Sequence, residues 1–503
     1  MDADVLIIGS GAGGGTLARA LADSGLRILI LERGDFLPRE WGNWDPQTVF
    51  ASYRYHSDES WLDADGQPFH PVTGYHVGGN TKFYGAAVLR RRPTDFKARK
   101  HVDGVTPDWP LTHEDFAPYY DQAEAWYFAH GEAGSDPTEG PRNPYPFPPL
   151  AHDAAVASVE QALRDQGHHP FPLPLALHRL EDDPAHSPCV RCPQCDGFPC
   201  MVHAKGDAEV CGVRPALEHN NVNLRCNERV RKILLANDGK TVSGVETDHG
   251  RFTARVVVLA AGAVNSAALL LASRSEVFPN GLANRSDQVG RNYMCHLNSA
   301  CMAIDPLREN RSIFQKTLAL NDFYEDSGDP DYPYPLGHIQ GLGKVTPALL
   351  HAQRPRWPIP MTAWAASHSV DWWLTTEDLP LPENRVTVDE HNTIHLHWQP
   401  KNRESHRRLC EKWRGLLQKA GFPLVFFQAM DISATAHQVG TCRFGDDPQT
   451  SVLDPNCKAH DLDNLYVVDA SFMPSISAVN PSLTIMANAI RVADVLRKRL
   501  DRT

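Results

Sequence analysis

The chain has 503 residues, 42% hydrophobic and 22% charged, with a formal net charge of −12 and no basic run. This is an ordinary globular balance with room for two or three domain-sized units, and it disfavours a nucleic-acid or anionic-membrane partner. No apolar run reaches the roughly 18 residues that span a bilayer.

Val5 to Ile8 is a short, β-branched apolar run, as expected for a buried parallel strand. It starts so close to Met1 that no signal peptide fits before it, and a cytoplasmic location is expected. Gly9-Ser10-Gly11-Ala12-Gly13-Gly14 follows directly. Gly9 permits a tight turn, Gly11 a close backbone approach to a pyrophosphate, and Gly14 close packing of a helix on the strand. That helix is expected from Gly14 to about Ser24, its N-terminal N–H groups facing the phosphates. A second strand, Arg27 to Glu32, ends on an acid placed to bond the ribose hydroxyls of a dinucleotide, with Arg33 beside it. The acid disfavours a 2′-phosphorylated nicotinamide.

Residues 36–75, rich in Trp, Pro, Tyr and Asp, read as a surface excursion or lid. Val77 to Val88 opens with Gly78-Gly79-Asn80-Thr81, which fits either a loop pressed on a ligand or a plain turn. A helical region is expected over 111–131 with Thr112 as its N-cap, then a proline-dense wrap from Pro137 to Pro149. Lys205 to His219 reads as helix and Asn223 to Val230 as strand. Residues 233–235 and 242–248 read as a hairpin around Asp238-Gly239. Arg255 to Gly262 repeats the strand–turn–helix pattern of the N-terminus. Residues 296–430 show short alternating segments such as Arg385–Asp389 and Thr393–Trp398, which suggest an antiparallel sheet in a second domain. The tail returns to a strand, Leu465–Asp469, and a helix, Leu483–Arg499.

Of eleven cysteines, Cys189, Cys192, Cys195 and Cys200 cluster with iron–sulfur or zinc-like spacing. Unligated or disulfide-bonded thiols, an iron–sulfur cluster and zinc all remain open, and no metal ligand is assigned.

Taken together, these segments resemble the glucose–methanol–choline (GMC) family of FAD-dependent alcohol oxidoreductases over nearly the whole chain. The resemblance rests on Gly9 to Gly14 with Glu32, Gly78-Gly79-Asn80-Thr81, Ala261-Gly262-Ala-Val-Asn265 to Ser273, and Val289-Gly-Arg-Asn-Tyr-Met294. It rests most on His437-Gln-Val-Gly-Thr441, Leu465 to Ala470 and Asn480-Pro481-Ser-Leu-Thr484. It implies an α/β fold: a Rossmann-like FAD domain from discontinuous segments 1–95, 186–295 and 431–503. An α+β substrate domain, 96–185 and 296–430, would carry a mainly antiparallel sheet.

By the same resemblance His437 is the active-site histidine and Asn480 its partner. Asp469 and Ala470 meet the ribityl–phosphate region, Asn480, Pro481 and Thr484 the flavin edge, and Val230 the adenine side. Phe83 stands where covalently linked relatives carry His, so FAD is expected to be non-covalent. Tyr84 replaces an Asn common in the family's loop. The implied reaction oxidises a secondary hydroxyl of a sugar or glycoside to a ketone, with hydride passing to flavin N5 and the proton to His437. Oxygen or a quinone-type acceptor reoxidises the flavin. An imidazole suits the proton acceptor on chemical grounds, because its pKa lies near operating pH. A dehydrogenase of another alcohol with a Cys-bound iron–sulfur cluster, and a non-redox flavin-containing lyase, are the alternatives. Trp372, Trp373, Asp371 and His368 suit sugar contacts or equally a sheet core and surface.

Overall fold

The computed structural model describes residues 1–434 and 436–501. Its first layer is a seven-stranded sheet in the order Val222–Arg225, Ile28–Leu31, Ala3–Ile8, Arg251–Leu259, Val242–Thr247, Val230–Leu235, with Leu465–Val467 also on Arg251–Leu259. Ala3–Ile8 runs parallel to both neighbours, Val5 facing Ile28 on one side and Val256 on the other. Val5, Leu6 and Ile7 are fully buried, each worth about 1.5–3 kcal/mol of apolar burial. Arg251–Leu259 does two jobs along its length: its start pairs antiparallel with Val242–Thr247 and its end pairs parallel with the first strand.

The glycine-rich helix begins earlier than expected, at Ala12 rather than Gly14, and ends at Leu21 in a 3₁₀ turn closed by Gly25. The reason is Gly11, which takes an extended N-cap conformation, so the third glycine falls inside the helix. A Cβ on Gly14 would overlap the Gly9 carbonyl, and one on Gly13 the Val468 carbonyl. The helix packs against the terminal helix Ser482–Leu500. Thr112 caps helix His113–Trp126: its hydroxyl accepts from Asp115 N–H (3.3 Å) and its own N–H donates to the Asp115 carboxylate (2.8 Å).

Two expectations need correction. Lys205 to His219 is helical only over Glu209–Leu217, and the 223–230 strand splits into Val222–Arg225 and Val230–Leu235 around Asn227, which sits at φ +56°.

The second layer is a six-stranded antiparallel sheet in the order Leu424–Ala429, Leu297–Ile304, Ser369–Thr376, His338–Gly341, Leu318–Leu320, Phe171–Pro172. Helices Ala154–Asp165 and Arg403–Lys419 cover one face. Val159, Leu163, Leu409 and Trp413 meet Ile339, Trp372 and Leu374 there. The hairpin expected near 385–398 exists but does not join this sheet. Arg385–Val388 and Ile394–His397 pair with Trp61–Leu62 and Pro68–Phe69, and Val386 and Leu396 are buried in the core of the first layer. Alternation marks the two strands, but partner choice is not contained in alternation.

Among the described residues, no helix is long and apolar enough to cross a membrane.

Candidate active site

The two glycine loops meet. A Cβ on Gly79 (φ +56°) would lie 3.0 Å from Gly11 Cα, so the close approach of the two loops and the left-handed backbone both favour glycine at position 79. Glu32 joins them. Its carboxylate accepts from Ser10 N–H (3.0 Å), Ser10 Oγ (2.6 Å) and Gly34 N–H (3.1 Å), and Ser10 Oγ accepts from Gly78 N–H (3.2 Å). Thr81 is buried, accepting from Ala208 N–H (2.9 Å), whereas Asn80 is exposed and ties back to Gly74. Arg33 stacks on Tyr75, its guanidinium 3.5 Å from the ring centre, and Asn265 reaches the Tyr75 hydroxyl at 3.4 Å. Val230, partly exposed, opens its strand next to Arg229, whose guanidinium meets Glu59 as Arg33 does.

Asp469 and the Ala261–Gly262 turn also meet. One carboxylate oxygen of Asp469 accepts from Gly262 N–H (3.1 Å) and the Ser266 hydroxyl, the other from Ser471 N–H (2.9 Å) and Oγ (2.6 Å). Burial raises its pKa against those bonds. Its charge therefore organises the Gly262 and Ala470 loops, leaving neighbouring backbone to meet a ligand. Thr484 is likewise turned inward, its hydroxyl 2.9 Å from that of Tyr120.

These residues fit FAD by shape as well as by motif. Gly262 sits at φ +90° with no atom within 4 Å of where a Cβ would stand, and a Cβ on Gly11 would meet only Gly79 Cα at 3.8 Å. The apposed glycine loops thus frame space at the N-termini of two helices, Ala12–Leu21 and Ala263–Ala272, whose free N–H groups suit a phosphate.

His437 is placed by a short antiparallel pairing. Met294 faces Val439 and Cys295 faces Gln438, so the next residues, His296 and His437, come opposite each other. Their Nδ1 atoms are 2.8 Å apart, and His296 Nε2 lies 2.8 Å from the Ser477 carbonyl oxygen. A carbonyl only accepts, so His296 carries its proton on Nε2. Its Nδ1 must then accept from His437 Nδ1–H, which leaves the His437 Nε2 lone pair free. Burial, and then the neighbouring His437, drives the His296 pKa well below the usual range. The His437 residue is partly exposed, yet burial of its imidazole by the surrounding protein, and then the Lys316 charge, lowers its pKa to about 4.

Ser477 is itself over-determined. It sits at φ +59°, its N–H donates to Glu377 (2.7 Å), and the buried Arg91 guanidinium holds the Ser475 and Ile476 carbonyls at 2.8 and 2.9 Å. Asn480 follows in the same loop, its buried Oδ1 without a hydrogen-bond partner among the described residues. Pro481 then caps the terminal helix. Phe83 packs between His56 and His76, and the Tyr84 hydroxyl donates to the Gly206 carbonyl.

Sequence reasoning missed His296, Ser477 and Glu377. The signal for His296 was its place two residues after the Val289–Met294 motif.

Residues 3–298 and 380–489 match the two halves of the GMC oxidoreductase family model. The chain belongs to the GMC oxidoreductase family. GMC oxidoreductases bind FAD and act on CH–OH donors. This GMC chain is 32% identical to a paromamine 6′-oxidase of Streptomyces fradiae, over 97% of its length and 90% of the relative's. It is 31% identical to a 6‴-hydroxyparomomycin C oxidase of Streptomyces lividus (99% and 92%). It is 26% identical to a 2-methyl-1,2-propanediol dehydrogenase of Mycolicibacterium austroafricanum (99% and 95%). Its fold matches a formate oxidase (TM-score 0.70, 16% identity, 99% of both chains) and a pyridoxine 4-oxidase from Mesorbium loti (TM-score 0.68, 21%, 98% of both).

All four clustered cysteines are free thiols, and no three potential ligands converge among the described residues. Burial raises the Cys192 thiol to about 11 and the Cys195 thiol to about 12.

Proposed function

We propose that this GMC oxidoreductase oxidises a hydroxyl of a sugar or glycoside to the carbonyl, with His437 as proton acceptor and FAD held without a covalent bond. The observation that carries this reading is the chain from the Ser477 carbonyl through His296 to His437, which fixes one imidazole tautomer and leaves Nε2 as a free base. Bound FAD supplies a hydride acceptor that oxygen or a quinone-type compound can discharge. His437 Nε2 takes the hydroxyl proton as the carbonyl forms. Asn480 cannot take a proton. Its amide nitrogen can donate to the reacting oxygen while its unpartnered Oδ1 accepts from a second hydroxyl. The N-terminus of helix Ser482–Leu500 adds positive potential beside it.

The two relatives named for aminoglycoside positions support a sugar donor and bring amino sugars into the test. Their 6′ and 6‴ positions stand beside ring secondary hydroxyls as candidates. Phe83 supports non-covalent FAD, because a phenyl ring offers no atom for the bond.

The test is anaerobic bleaching of the flavin in the purified holoenzyme by sugars, alkyl glycosides, amino sugars and simple alcohols. Bleaching by the glycosides is expected, with its loss in His437→Ala while FAD stays bound. Bleaching by simple alcohols alone, or an unaffected His437→Ala, overturns the reading. Peroxide and dye assays then assign the acceptor.

A further inference from the structure

Strand Ser369–Thr376 is central in the six-stranded sheet, between Leu297–Ile304 and His338–Gly341. Alternation sends its two tryptophans to opposite faces. Trp372 joins the core, its ring centre 4.8 Å from that of Trp413. Trp373 lies on the other face, which is turned toward the catalytic loop: two residues along, the Thr375 hydroxyl donates to the Ala478 carbonyl, just before Asn480. Thr375 in turn faces Asn298, whose buried Oδ1 has no partner among the described residues.

A tryptophan at the centre of a sheet is ordinarily covered, but Trp373 keeps part of its surface open. Its cross-strand neighbours are Gln340 and Ala300, and beyond Ala300 comes Gln428. Ala300 and Met302 are also partly open, and on the edge strand Gln428 and Phe426 (57%) are exposed. A small residue between a partly exposed tryptophan and an exposed edge leaves a lane across the sheet. Trp373 and Thr375 are about 7 Å apart along the strand, roughly one sugar ring.

We propose that Trp373 is the stacking platform for the pyranose ring whose hydroxyl reaches His437, that Asn298 Oδ1 accepts a hydroxyl of that ring, and that the lane over Ala300 toward Gln428 takes the second unit of a glycoside. This rests on the sugar-oxidising reading above and names where that substrate lies. The partly exposed tryptophan supplies ring contact with little ordering cost, and the unpartnered amide oxygen gains the partner it lacks.

The test uses holoenzyme variants with a methyl glycoside and a disaccharide as substrates. Trp373→Ala is expected to raise KM for both by about tenfold, with kcat within about threefold, flavin absorbance unchanged and thermal midpoint retained. Trp373→Phe restores most of the loss, which a merely structural role for bulk does not predict if Trp373→Leu fails to do so. Ala300→Trp raises KM for the disaccharide and spares the methyl glycoside. An unchanged KM in Trp373→Ala, equal rescue by Leu and Phe, or equal effects of Ala300→Trp on both substrates overturns the platform. If no glycoside bleaches wild-type flavin, the parent reading falls and binding alone decides. Quenching of tryptophan fluorescence by the glycosides must then appear in wild type and vanish in Trp373→Phe, and its persistence or absence in both removes the proposal.

Discussion

Replacing His296 isolates the tautomer chain from the base itself. His296→Leu keeps the bulk but removes the acceptor for His437 Nδ1–H and the donor to the Ser477 carbonyl, both at 2.8 Å. The Ser477 half acts on stability, because a buried carbonyl loses its partner at about 1–3 kcal/mol. The His437 half acts on the reaction. Without an acceptor at Nδ1, the ring loses its orientation and the preference for a free Nε2. A bond of that kind is worth about 1–2 kcal/mol, and at 1.36 kcal/mol per decade the reduction rate constant should fall about 5- to 30-fold. His296→Gln retains both an acceptor and a donor and should recover to within about threefold of wild type. The assay is stopped-flow flavin reduction at saturating substrate, with denaturant midpoints measured in parallel. A Leu variant that reduces as fast as wild type, or a Gln variant no better than Leu, shows that the imidazole pair does not set the base.

Three further outcomes follow from the same geometry. His437 accepts a proton only when neutral, and its pKa is lowered to about 4, so the reduction rate should rise with pH through about 4 and be flat above; an acid limb near 6.5 in a rate–pH profile contradicts the burial argument. Gly14→Ala forces a Cβ onto the Gly9 carbonyl, so FAD occupancy of the purified protein should fall severalfold, and full flavin content would mean the loop can yield. Buried Lys82 donates to Asp207 (2.9 Å) and Glu209 (2.6 Å), whose charges outweigh burial and raise its pKa; Lys82→Met leaves Asp207 buried without a cation and Glu209 with Arg214 alone, and should lose about 3–5 kcal/mol in a urea titration.

What the sequence displays and what it hides divide by range. The Val5–Ile8 strand, its glycines and Glu32 lie within one short strand–turn–helix–strand run whose contacts are with each other, so they are legible in order. His437 is legible by the resemblance of its tail motif. His296 is not, because its role exists only once two short strands pair in the Met294–Val439 register. The 385–397 hairpin shows the same limit, its alternation visible and its partners at 61–69 invisible. Trp372 and Trp373 are indistinguishable as letters, and only the side from which helix Arg403–Lys419 packs separates core from open face.

The cysteine segment belongs with that second group. Its spacing draws attention to the thiols, yet the residue it carries to the site is Asp196. Lys316, only 2% exposed, ion-pairs with Asp196, and Gly343 N–H donates to the same carboxylate at 2.6 Å. The pair presses so closely on Gly85 that a Cβ there would overlap both charged ends. Gly85 lies in the loop that begins with Gly78 and Gly79, and the Lys316 charge is felt at His437. The buried Lys205 ammonium anchors the segment by holding the Cys195 and Phe198 carbonyls at 2.8 Å. A loop carrying the buried Cys189 and Cys195 thiols and one buried lysine thus fixes a carboxylate beside Gly85 and against Lys316, the cation whose charge reaches His437. Low-polarity thiols with raised pKa values suit that packing role, since they fill space without adding charge beside the Asp196–Lys316 pair.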